Sequence, residues 1–320
     1  MAFLTSIESI LSIILIIGLG FLLRKRGYFA DSFSGNISKL IMNVALPASI
    51  FVSVLKYLTR DKLFSLSGGL FYSFIAVIIG YLLAWLMVKL FRVPVGRRGI
   101  FMNTVVNANT IFIGLPLNIA LFGEKSLPYF LVYYVTNTVS TWAFGALLIA
   151  NDDPTKSGKE KHQSLNWKKL LPPPLLGFIV ALVFLLLDLP VPTFINSTLV
   201  YVGGIVTPLS LIYIGIVLAD AGLKSIRFDK DTIAALFGRF VLSPVVMAAL
   251  IIFGGSMLGS LPMLEIKTLV VQASAPALAV LPILANEAHG DVKYATNVVT
   301  TSTILFVVVV PIVVSLLQFL

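Results

Sequence analysis

Two stretches decide the reading of this chain. One is Val105-Val106-Asn107-Ala108-Asn109, followed by Gly114-Leu115-Pro116. The other is Val270-Val271-Gln272-Ala273-Ser274-Ala275-Pro276, followed by Val280-Leu281-Pro282. Both lie deep inside apolar runs long enough to cross a membrane. A break there frees backbone N–H and C=O groups that hydrocarbon cannot satisfy, so irregular backbone survives only where it lines a protein cavity. Corresponding broken spans in the two halves of a chain point to the binding site of a secondary carrier.

Composition extends that reading outward. Hydrophobic residues make up 58% of the chain and charged residues 12%, with a mean hydropathy of +1.01. A soluble domain is about a quarter charged, so most of this chain faces lipid or other helices. Apolar runs near the length of a membrane helix predict ten spans, at 7–23, 36–56, 66–90, 99–121, 127–149, 170–187, 197–219, 232–258, 263–286 and 294–319. The sizeable polar segment, 151–169, falls near the middle. It divides the chain into a first five-helix repeat at 1–150, a polar cytoplasmic linker at 151–169 and a second repeat at 170–320.

The net charge of +9 is a topology signal and not a nucleic-acid surface. With the N-terminus outside, 18 of the 23 Lys and Arg residues fall on the inner side, including Arg24-Lys25-Arg26, Arg97-Arg98, the linker lysines and Arg239. The outer side receives Lys56, Arg60, Lys62, Lys125 and Lys267. The positive-inside rule therefore places both termini outside, in a multi-pass protein of the cell (inner) membrane. No positive region precedes the first apolar stretch, so it reads as an uncleaved span. With no Cys, thiolate metal sites and disulfides are excluded.

Five spans per half make the second half inverted relative to the first. Internal matches agree: Pro47 and Pro208 are 161 residues apart, Pro94 and Pro262 168, Asn107 and Gln272 165, and Pro116 and Pro282 166. The expected fold class is therefore an all-α integral membrane protein of ten transmembrane helices. They form two inverted five-helix repeats with helices 4 and 9 interrupted.

Polar groups at membrane depth must face the protein interior. Asn103, Asn107, Asn109 and Thr110 precede the first break; Gln272 and Ser274 lie at the second. Alone, such residues act as interhelical glue; coinciding with a break in both halves, they point to a site. Half-helices that restart present free N–H groups and the positive end of a dipole, which attract an anion. Proline suits the first turn of a restart, and Pro276 and Pro282 both qualify. Asp152, Asp153, Asp188, Asp220, Glu265, Glu287 and Asp291 all fall near span ends, which disfavours a cation carrier. Without an arginine clamp, recognition would rest on neutral donors, since Arg239 is expected to snorkel toward the inner surface. His162 and His289 read as solvated. Nothing resembles a P-loop, a catalytic triad or a metal-ligand cluster, so an enzyme is excluded and no cofactor is implied.

Asn43-Val44-Ala45-Leu46-Pro47, Asn107-x-Asn109 leading to Gly114-Leu115-Pro116-Leu117, and the Pro276/Pro282 segment together resemble the auxin efflux carrier family. The short central loop is similar to its bacterial, malate- or malonate-permease-like branch. The resemblance spans essentially the whole chain. It implies that helices 4 and 9 cross at the substrate site, with helices 1, 2, 6 and 7 as a scaffold. Helices 3–5 and 8–10 would form a moving transport domain in an elevator-like cycle. It further implies that Asn107, Asn109, Gly114 and Pro116, with Gln272, Ser274, Pro276 and Pro282, surround a substrate carboxylate. Asn43, Pro47, Asn137, Pro208 and Asn297 are candidates to line the cavity. The expected substrate is a small mono- or dicarboxylate. Bile acid:sodium symporters share a crossed architecture, so a sodium-coupled carrier of larger amphipathic anions stays open, as does a non-transporting sensor. A coupling ion, proton or sodium, and a homodimer paired through the scaffold are left open as well.

Overall fold

The computed structural model describes residues 2–155, 171–222, 226–258 and 261–317, with side chains described outside 2–10, 61–65, 221 and 256–258. Most of the linker and His162 lie outside the described residues. The described chain is helical: α1 (Ala2–Lys25), α2 (Phe33–Tyr57), α3 (Arg60–Leu90), α4 (Arg98–Val106), α5 (Thr110–Phe122), α6 (127–151), α7 (Pro173–Leu186), α8 (Thr193–Gly204), α9 (Val206–Ala221), α10 (230–258), α11 (Met263–Ala273), α12 (Leu281–Glu287) and α13 (Val292–Leu316).

Among the described residues, five helical stretches are long and apolar enough to cross a membrane: Phe33–Tyr57, Leu66–Leu90, Thr193–Asp220, Lys230–Gly255 and Val292–Leu316. Thr110–Phe122 and Pro173–Leu186 are shorter apolar helices. The exposed faces carry the membrane signature. Leu11, Leu15, Leu19 and Leu22 line one face of α1, and Ile78, Leu82, Trp85 and Leu86 one side of α3, all of them exposed. Such stripes are stable only against lipid. The protein is a multi-pass membrane protein.

Proline placement explains the local irregularities. An intrahelical proline cannot donate to the carbonyl four residues back, and its ring crowds that carbonyl. Pro47, Pro116 and Pro244 each follow by two residues a widened π turn, at Ile41–Ala45, Thr110–Gly114 and Gly238–Leu242. The widened turn carries the helix past the missing donor without breaking it.

Contacts sort the helices into two groups. In one, α1 packs along α9, and the second half of α2 packs on α7 and α8. Gly20 and Gly215 let α1 and α9 approach until backbone meets backbone: a Cβ on Gly20 would overlap Ile212, and one on Gly215 would overlap Ile17 and Phe21. In the other group α3, α4, α6, α10, α11, α12 and α13 pack together, and α5 lies between, against α1, α9 and α11. Lipid is as apolar as leucine, so van der Waals packing and interhelical hydrogen bonds hold these helices together rather than water exclusion.

The second group is tied at one end by ions. Arg97, just before α4, reaches Asp229 (3.0 Å), Asp231 (3.2 Å) and Asp291 (2.7 Å) and stacks over Tyr294. Asp229 and Asp291 also cap α10 and α13, accepting from the N–H groups of Thr232 and Tyr294, where a carboxylate suits the positive helix end. His289, solvated as expected, pairs with Asp153 at 3.1 Å.

Candidate functional site

Both quoted stretches are breaks, and they touch. Helix α4 stops at Val106, Asn107 is extended, and α5 starts at Thr110. Helix α11 stops at Ala273, and α12 starts at Leu281 with Pro282 as its second residue. Pro282 is thus the proline that restarts the second helix, while Pro276 lies in the extended segment. An antiparallel bridge joins Ala108 to Ala277, and the Asn109 N–H donates to the Pro276 carbonyl at 2.8 Å.

Side chains from neighbouring helices serve the unwound backbone. Asn137 on α6 accepts from the Ala108 N–H (2.8 Å) and donates to its carbonyl (3.0 Å). Ser302 on α13 accepts from the Ala277 N–H at 3.1 Å. Gln272 donates across the crossing to the Gly114 carbonyl at 2.9 Å. These bonds meet the demand that exposed backbone creates in hydrocarbon.

Asn107 is fully engaged elsewhere. Its Nδ2 donates to Asn103 (2.7 Å) and Tyr81 (2.9 Å), and its Oδ1 accepts from Ser140. This amide knits α3, α4 and α6 and has no donor left for a ligand. Ser274 caps its own helix through Val271. Asn297 clamps both backbone groups of Arg227 and donates to Thr232. Pro47 packs against Gly177, while Asn43 and Pro208 are exposed.

Asn109 is different. Its Oδ1 accepts from the Phe112 N–H at 3.3 Å, capping α5, and its Nδ2 makes no hydrogen bond among the described residues. It borders a cavity of about 160 Å³ between the two helix groups, shared with Thr110, Tyr134, Asn137, Thr138, Thr141, Ala279 and Val280, with Ser38, Met42 and Pro172 toward the Arg97 end. Gly114, Pro116, Gln272, Ser274, Pro276 and Pro282 stand around the crossing without lining this cavity. Among the described residues the buried Thr141 hydroxyl has no hydrogen-bond partner, and the N–H groups of Ala279 and Val280 make no backbone hydrogen bond. No charged side chain lines the cavity.

Two charged residues depart from expectation. Arg239 does not snorkel: it is fully buried, and its Nη2 donates to the Ala273 carbonyl and to Ser243 (3.1 Å), with Tyr133 alongside. The cause is the break itself, because α11 ends at Ala273 and the negative end of its dipole draws the guanidinium inward. Among the described residues Nε and Nη1 have no hydrogen-bond partner. Glu265 stands near a helix end as expected, yet it too is fully buried. The spacing of acidic residues along the sequence did not reveal that.

A family comparison completes the picture: the model described as "Membrane transport protein" matches residues 5–314. The chain belongs to that family. It is an auxin-efflux-carrier-like family, as the Asn-to-Gly-Leu-Pro pattern indicated, and a family of transporters rather than enzymes. An uncharacterized transporter of Methanothermobacter thermautotrophicus is 27% identical over 315 residues, covering 97% of this chain and 98% of the relative. An uncharacterized transporter of Methanocaldococcus jannaschii, MJ1031, is 22% identical over 307 residues, covering 94% and 96%. This membrane transport protein thus aligns over most of its length with archaeal relatives.

Proposed function

We propose that this transporter carries small organic anions, mono- or dicarboxylates, through the cavity at the crossing. The observation that carries the reading is the set of unpartnered donors around Asn109. Asn109, Ile111, Ala279, Val280 and Thr141 with its unpartnered hydroxyl line a space with no carboxylate in its lining. The start of α5, a helix of 13 residues, adds the positive end of its dipole. The buried cation of Arg239 adds a full charge beside the crossing, where low dielectric makes it felt. The volume of about 160 Å³ suits a short carboxylate better than a large amphipathic anion.

The movement follows from the two helix groups. We read α1, α2, α7, α8 and α9 as a scaffold and the rest as a transport body built from two inverted five-helix repeats. The cavity lies between them, reached from the Arg97 end, which we read as cytoplasmic, with both termini outside, from the distribution of Lys and Arg. A second polar cavity of about 640 Å³, bordered by Ser53, Lys56, Glu124, Asn196 and Thr207, lies toward the opposite end. Sliding of the transport body would expose the crossing to each side in turn.

The test is counterflow in proteoliposomes loaded with one carboxylate and offered a labelled panel of mono- and dicarboxylates, with amino acids and inorganic cations as controls. Saturable exchange confined to carboxylates supports the proposal. Exchange of cations with indifference to every carboxylate refutes it.

A further inference from the structure

Glu265 is fully buried in the first turn of α11, and among the described residues neither carboxyl oxygen has a hydrogen-bond partner. It rests directly on the backbone of α3, where a Cβ on Gly69 would overlap its Oε1, and beside Val132 of α6. An ionised carboxylate without donors or a counter-charge is too costly to leave in such a place, so the group is carried as the neutral acid.

Among the described side chains no counter-charge is at hand on any packed element; on α3, Arg60 pairs with Asp188, and the side chains of Asp61 and Lys62 lie outside the described residues. Helix α3 offers Gly69 and, one turn on, Tyr72, whose ring lies against Gly254 of α10. Helix α6 offers Tyr129. The buried cation of α10, Arg239, is held at the far end of α11 by Ala273. Glu124, on the turn before α6, is paired with Lys56 and Tyr57, and Lys125 is exposed. Lys267 on α11 itself is partly exposed and lies two residues on, which turns it to another face. Helices α5 and α13 bring no titratable side chain to this end of α11.

The carboxyl does not stand alone. At helical spacing along the same face of α11 follow Thr268 and Gln272, both fully buried, with Thr268 Oγ1 and Gln272 Oε1 likewise without partners. The Gln272 amide then bonds Gly114 in the first turns of α5, the helix capped by Asn109. A line of under-used polar atoms thus runs from the Glu124 end of the protein to the crossing.

We propose that Glu265 is a proton-binding site and that the transporter moves protons with its substrate. The carboxylate takes one proton from water on one side and returns it to water on the other. The unpaired acid stays neutral while the transport body slides through the low-dielectric region. The coupling half of this proposal rests on the anion-carrier reading; the site itself does not.

Infrared difference spectroscopy on the full-length protein in lipid tests the site without any substrate. The wild type should show a protonated-carboxyl C=O band that is absent in Glu265→Gln, retained in Glu265→Asp and shifted in Gly69→Ala, which crowds the carboxyl without removing it. Superimposable spectra of wild type and Glu265→Gln across acid to alkaline pH would overturn the site. Proteoliposomes holding a trapped pH dye then test the coupling. Carboxylate movement by the wild type should carry protons, and Glu265→Gln should keep carboxylate exchange while losing proton movement at least tenfold. Carboxylate transport with no proton movement in the wild type would overturn the coupling and leave the anion reading standing. The infrared band without any carboxylate transport would uphold the site and sink the anion reading instead.

Discussion

Asn109 and Asn137 flank the same unwound residue, and the structure gives them opposite work, so alanine at each position should fail in opposite ways. Asn137 supplies both the acceptor and the donor for the buried Ala108 backbone. Asn137→Ala strands an N–H and a carbonyl at once. At about 0.6 kcal/mol per interhelical bond in a membrane protein, and up to about 3 kcal/mol for a stranded buried group, the cost is about 1–4 kcal/mol of stability. Asn109→Ala removes only a long N-cap bond to Phe112, a loss of about 0.5–1 kcal/mol. It also removes the free Nδ2 donor from the cavity. A hydrogen bond to a charged partner contributes about 1.5–3 kcal/mol, so carboxylate affinity should fall about 10- to 100-fold. The assay is differential scanning fluorimetry of the two variants in one detergent, paired with isothermal titration of the best carboxylate. If Asn109→Ala melts as early as Asn137→Ala, or binds carboxylate as the wild type does, Asn109 is glue and the assignment of its free amide to substrate is wrong.

Further outcomes follow from the same geometry. Arg239→Gln keeps a donor for the Ala273 carbonyl but removes the charge. A unit charge acting over roughly 10 Å at an effective dielectric of about 20 amounts to about 1.7 kcal/mol, so titration should show carboxylate affinity lowered by about tenfold with the melting temperature little changed. Gly215→Leu should separate α1 from α9, where a Cβ would overlap backbone, and cost upward of about 1–3 kcal/mol as overpacking, read as early melting. Acid should loosen the Arg97 end. Burial alone would raise Asp229, but its bonds from Thr232 and the nearby Arg97 outweigh burial and hold it below the usual carboxylate range. The hydroxyl and N–H of Thr155, with His289 beside it, depress Asp153. Both folded values lie below the unfolded ones, so this stability is present above about pH 4 and is lost as pH falls further. Melting temperatures recorded downward from about pH 6 should drop below that point, less so in Asp229→Asn.

Much of this was legible in the sequence because the membrane makes backbone accounting strict. The pairs Asn107/Gln272 and Pro116/Pro282 announced two breaks, and the structure joins those breaks through Ala108 and Ala277. Which polar residue would remain free was not legible. Asn107 and Asn109 have the same side chain two residues apart, and only the positions of Tyr81, Asn103 and Ser140 show that Asn107 is consumed by its neighbours. Asn137 read as a cavity residue and turned out both to border the cavity and to hold Ala108. The burial of Arg239 and of Glu265 was not legible, for a shared reason. Each lies near the end of an apolar run, where charge ordinarily reaches water, whereas the end of α11 and the approach of Gly69 hold them inside. Ser302, Thr141 and Tyr134 gave no sequence signal, because a lone hydroxyl in an apolar helix looks the same whether it faces a cavity or a carbonyl.

The most direct measurement is a structure of the protein with a bromine-labelled dicarboxylate, located by its anomalous signal. The account predicts a bromine peak inside the cavity between Asn109, Thr141 and Ala279, lost in Asn109→Ala crystals grown the same way. A peak elsewhere, surviving Asn109→Ala, would contradict a substrate site at the crossing.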